Sequence, residues 1–93
     1  MKRQSFDNVW DALTDSAEEA ASMTMRSNLL IAVEQRVRSW KVTQAAAAHR
    51  LGITQPRLND LLQGKIAKFS LDTLVDLAAR AGLSVQIKIA KAA

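Results

Sequence analysis

The 93-residue chain has no cysteine, one histidine, one proline and three glycines. Without cysteine there is neither a disulfide framework nor a thiolate metal site, which fits a reducing compartment. A lone histidine, His49, makes neither a nucleophile–base pair nor a metal cluster. Glycine-rich phosphate loops are missing too, and Glu18-Glu19 reads as a solvated pair at a helix start, not as an acid/base dyad. No enzyme, metal or cofactor is therefore expected. Nor does any apolar run approach the roughly 20 residues of a membrane span, and the N-terminus lacks the apolar core of a signal peptide. These absences predict a cytoplasmic protein that does not meet a membrane.

Large apolar side chains are also scarce, because aromatics are 4% of the chain and much of its 48% hydrophobic content is alanine. Ninety-three residues make one domain, which buries only about 60–68% of its unfolded surface. The core must draw on several helices at once, and a dimer would help it. The net charge of +4 is unevenly spread. Through Glu34 there are three basic residues against six acidic, whereas from Gln35 onward there are ten against three. Between Arg36 and Lys68 only Asp60 offsets the cations Arg36, Arg38, Lys41, Arg50, Arg57, Lys65 and Lys68. A polyanion would be drawn to that half.

The basic half surrounds the stretch Thr43 to Gly64, TQAAAAHRLGITQPRLNDLLQG. Thr43 caps a helix that is nearly all alanine, and Gly52 supplies the left-handed residue that ends it. A second helix starts at once, with Thr54 as N-cap and Pro56 in the first turn, where a missing N–H costs nothing. Leu58, Leu61 and Leu62 share one face by their i, i+3, i+4 spacing. Ala47 and Ala48 leave little bulk between the backbones, so the helices can cross closely at the steep angle of a helix-turn-helix.

Both flanks read as helices with one exception. Phe6, Val9, Trp10 and Leu13 recur at helical spacing, and Asp15 or Ser16 caps a segment that runs on through Ala20 and Ala21. That acidic arm either packs on the helical core or keeps apolar face for a partner. From about Thr24 to Trp40 Leu29, Leu30, Val33, Val37 and Trp40 form a buried stripe with Arg26, Glu34, Arg36 and Arg38 outside, while Met23 and Met25 read as core fillers. After the basic loop Lys65 to Lys68, Ser70 caps a helix whose Leu71, Leu74, Val75 and Ala78 face inward, and Gly82 closes it. The exception is the end. Leu83, Val85, Ile87 and Ile89 alternate with Ser84, Gln86 and Lys88, the two-residue repeat of a strand. A lone strand cannot satisfy its backbone, so two copies are expected to pair across a two-fold axis with Val85, Ile87 and Ile89 in the dimer core. Pairing with the N-terminal arm or with a different protein is the alternative.

Thr43-Gln44, Ala48, Leu51-Gly52, Thr54-Gln55, Leu58 and Gly64-Lys65 resemble the pattern of the lambda-repressor and Cro superfamily, the XRE-type helix-turn-helix regulators. Together with VWDAL at 9–13, FSLDTLVDLA at 69–78 and GLSVQIKI at 82–89, the chain is similar to HigA-type antitoxins of bacterial toxin–antitoxin pairs. The resemblance implies a mainly α protein, a lambda-repressor-like helix-turn-helix bundle with a single C-terminal β-strand. It divides into an acidic arm (1–23), a DNA-binding domain (24–82) and a dimerising strand and tail (83–93). It also implies a repressor that binds the operator of its own operon and a RelE/HigB-like ribonuclease toxin, the latter through Phe6, Val9, Trp10 and Leu13. The alternative is a stand-alone XRE-type regulator.

With the leucines inward, Gln55, Pro56, Arg57 and Asn59 lie at the leading end of the second helix, the end that enters the major groove in this superfamily. Glutamine or asparagine can pair with adenine, arginine with guanine, and Pro56 can touch a thymine methyl. Asp60, three residues after Arg57, is expected to hold that guanidinium in one rotamer. Gln44 and Thr54 are implied by resemblance as backbone anchors, and Lys65 adds charge for phosphate.

Overall fold

A computed structural model describes residues 16–91. The expected arm residues Phe6, Val9, Trp10 and Leu13 lie outside them. Four helices follow in order: α1 (Ala17–Ser39), α2 (Gln44–Leu51), α3 (Gln55–Leu62) and, after a 3-10 turn at Ile66–Lys68, α4 (Leu71–Arg80).

Each helix start has a hydroxyl cap. Ser16, Thr43, Thr54 and Ser70 accept through their side chains from the backbone N–H of Glu19, Ala46, Arg57 and Thr73. Each such cap satisfies one of the donors a helix leaves open, which is worth about 1 kcal/mol. The helix expected from Thr24 begins at Ala17 instead. Thr24 sits mid-helix with its hydroxyl donating back to Ala20 O at 3.0 Å, so its capping capacity is absorbed within α1. The 23 residues of α1 form the floor of the domain, packing chiefly on α4 and also on α3.

Leu30, Val33 and Val37 of α1 meet Ala47, Ala48 and Leu51 of α2, Leu58 and Leu61 of α3, and Leu74, Leu77 and Ala78 of α4. Phe69, wholly buried in the segment between the 3-10 turn and α4, is the largest of these side chains. The inward face of α4 is therefore turned from the one expected: Leu77 is buried, while Leu71 and Val75 are half-buried and line a groove. Trp40 is half-buried at the core margin, and Met25 is exposed, not a core filler.

Arginines expected outside α1 close the fold by capping carbonyls. Arg36 Nε donates to Ala81 O at 3.0 Å, and Arg26 Nη1 donates to Phe69 O at 3.4 Å. From the other side, Arg80 Nη1 of α4 donates to Leu51 O at 3.1 Å, at the end of α2. These are guanidinium bonds to carbonyls that helix and loop ends leave open.

The C-terminal strand is not seen. Leu83 packs on the core and its N–H donates to Ala78 O, but residues 83–91 have no regular secondary structure. A strand is defined by hydrogen bonds to a second one, and no described segment supplies it. The apolar residues of the expected repeat stand exposed along with their polar neighbours: Val85 is 36%, Ile87 64% and Ile89 90% exposed.

Candidate nucleic-acid interface

The turn between α2 and α3 occupies Gly52–Thr54. Gly52 has φ 70°, and the N–H groups of Gly52 and Ile53 donate to His49 O and Ala48 O. This left-handed closure frees the chain to reverse within three residues, and the buried Ala47 and Ala48 let α3 lie close against α2. Pro56 falls in the first turn of α3, as expected, and Leu58 and Leu61 are wholly buried with Leu62 beside them.

Facing away from that core, Gln55, Pro56, Asn59 and Gln63 are exposed. The side chains of Gln55, Asn59 and Gln63 form no hydrogen bond within the described residues. Thr54 spends its acceptor on the cap, which leaves its hydroxyl proton free to donate. Gln44, exposed at the start of α2, lines a shallow cleft with Arg38, Lys41 and Val42, closed below by Leu58 and Leu62. The structure thus brings Gln55, Pro56 and Asn59 together on α3, with Gln44 across the α2–α3 crossing.

Arg57 differs from its neighbours. Its guanidinium lies 4.2 Å from the centroid of the Phe69 ring, and Nη1 donates to Lys68 O at 2.8 Å. Ring stacking and a charge-assisted bond, discounted for solvent, together hold it by about 1–2 kcal/mol. Asp60 is not its partner. That carboxylate lies 3.5 Å from Lys65 Nζ and 3.5 Å from Lys68 Nζ, because the chain after α3 folds the two lysines back beside it. The 3-10 turn overrides the i, i+3 neighbour that helical spacing suggests.

Two ring pairings of this region are not expected from the sequence. Phe69 is the ring beneath Arg57 and also carries the carbonyl that Arg26 reaches; its only local signal was being the sole aromatic after Trp40. Arg50 stacks over Trp40 at 3.9 Å, a pairing ten residues apart across the end of α1. Of the remaining cations, Arg38 is paired with Glu34 and Arg80 with Asp76. Among the described residues no group of His, Asp and Glu could hold a metal ion, and no helix is long and apolar enough to cross a membrane.

Two short capped helices at a tight glycine turn, the second presenting a polar face, define a helix-turn-helix. Residues 12–90 match the family described as a helix-turn-helix domain, and the chain belongs to that family. At this level it is a DNA-binding regulator. No curated protein matches the chain.

Proposed function

We propose that the protein is a sequence-specific transcriptional repressor of the XRE type that binds operator DNA as a homodimer. We further propose that it is the antitoxin of a toxin–antitoxin pair, repressing its own operon and neutralising a RelE/HigB-like ribonuclease. The observation that carries the DNA reading is the exposed face of α3. The side chains of Gln55, Pro56 and Asn59 are exposed and make no hydrogen bond among the described residues, inside a basic surround, which is what base-edge contact requires. Gln44, Thr54 and Lys65 suit the phosphates on either side. A binding role without catalysis, and a cytoplasmic location, belong to the same reading.

Dimerisation is supported by the tail. Val85, Ile87 and Ile89 are exposed and form one wall of a groove whose other walls are Met25 and Leu29 of α1 and Leu71 and Val75 of α4. A second copy offers the same alternating tail, so each tail pairs its backbone with the other across a two-fold axis and covers apolar surface on both. Ile87→Lys with Ile89→Lys should then leave a monomer by sedimentation, with weaker operator binding; an unchanged oligomer would refute this use of the tail. The antitoxin role is supported by the likeness of the flanking segments, which the family match leaves open.

A gel shift comparing the promoter upstream of the protein's own gene with random duplex tests the repressor reading. Preference for the promoter supports it, and equal binding at low ionic strength refutes it. Co-expression with the product of the adjacent gene, followed by purification through one tag, separates the two forms of the proposal. A stable pair that abolishes ribonuclease activity supports the antitoxin, whereas operator binding without any such partner makes the protein a stand-alone regulator.

A further inference from the structure

Recognition helix α3 carries two charged side chains, and the structure turns both toward its own chain. The Arg57 guanidinium lies over the Phe69 ring with Nη1 donating to Lys68 O, and Asp60 is flanked by Lys65 and Lys68. What remains for a duplex at this helix is uncharged: the amides of Gln55 and Asn59 and the ring of Pro56 at its leading end, and the amide of Gln63 at its other end. An amide pairs bidentately with adenine N6 and N7, a guanidinium with guanine O6 and N7, and an apolar ring contacts the thymine methyl. The chemistry that favours guanine is thus held back, and both chemistries left exposed belong to A·T pairs.

Resting on the DNA-binding reading, we propose that the half-site contacted by α3 is read as A·T pairs, with Gln55 and Asn59 on adenines and Pro56 on a thymine methyl. Arg57 is a positioning residue that holds the turn bearing Lys68 and does not read guanine. Gln55 and Asn59 stand four residues apart on one helix face, about 6 Å, and base pairs rise about 3.4 Å each. Their adenines therefore fall about two steps apart. Pro56 is a helical neighbour of Asn59 at i, i+3, so its thymine lies within or next to that interval.

The test is selection by the full chain from a random duplex pool, followed by binding curves on single-base variants of the selected site. An A·T-centred half-site is expected, with each adenine-to-guanine change at a contacted step weakening binding about 5- to 150-fold. Uracil in place of the contacted thymine should weaken it several-fold, and Pro56→Ala should erase that difference. Gln55→Ala and Asn59→Ala, both exposed, should each relax preference at one step. Arg57→Ala should leave the ranking of bases intact while lowering the slope of log affinity against log salt, since the lysines of the turn lose their placement. A guanine position whose discrimination vanishes in Arg57→Ala overturns the inference and leaves DNA binding standing. If the wild-type chain enriches no duplex at all, the DNA-binding reading falls and this inference with it.

Discussion

Gly52→Ala examines the joint between α2 and α3 most directly. A residue with a Cβ at φ 70° is strained by about 1–2 kcal/mol. The added methyl would also collide with Arg80 Nη1, displacing a guanidinium that donates to Leu51 O at 3.1 Å. That side chain is about half exposed, so after solvent screening the lost bond is worth about 0.5–1 kcal/mol. Alanine returns about 0.4–1 kcal/mol by restricting the unfolded chain. The net loss is about 1–2 kcal/mol, which in a domain of this size lowers Tm by about 4–16 °C. Gly64→Ala is the internal control, because Gly64 has φ 73° but open space around it, so only the strain should register. Thermal and urea unfolding followed by circular dichroism would measure both. In an Arg80→Ala background the Gly52→Ala loss should shrink by about 0.5–1 kcal/mol, since the displaced bond is already gone. Equal losses at the two glycines, with no coupling to Arg80, would refute the reasoning.

Lys41 adopts φ 54° beyond the end of α1, so Lys41→Gly should be neutral to about 1 kcal/mol stabilising by urea unfolding, backbone strain relieved being larger than unfolded-chain freedom gained. A clear destabilisation would mean that the lysine side chain itself supports the turn. Phe69→Ala should cost about 3–5 kcal/mol in the same assay, because a wholly buried ring is removed from the junction of α1, α3 and α4. Lys65→Ala should weaken all duplex sequences alike and flatten the salt slope by about 0.9; a loss confined to one base position would mean a base contact.

What the amino-acid order revealed was local. Ser16, Thr43, Thr54, Ser70, Pro56 and Gly52 act within three or four residues of themselves, so their roles are readable without knowing the fold. The same holds for the leucine stripe of α3 and for the alanines that let α2 approach it. Long-range partners were not legible. Arg26, Arg36 and Arg80 look like solvated helix residues until Phe69, Ala81 and Leu51 arrive from 29 to 45 positions away. Asp60 was given the wrong companion because helical spacing says nothing of a loop that doubles back. Thr24 carries the same chemistry as Thr43 and Thr54, yet its hydroxyl donates back to Ala20 O and α1 runs on through it. The strand failed for a different reason: alternation describes a surface, whereas a strand also needs a neighbour.

The bond from Arg80 to Leu51 bears on how small a working fragment can be. A peptide ended after Gly64 would retain both helices of the motif, but it would lose Phe69 beneath Arg57, Leu74 and Leu77 beneath the leucine stripe, and the cation that closes α2. Grafting the motif onto another scaffold therefore means carrying the chain onward to at least Leu83. Its portability is set by α4, a helix outside the motif itself.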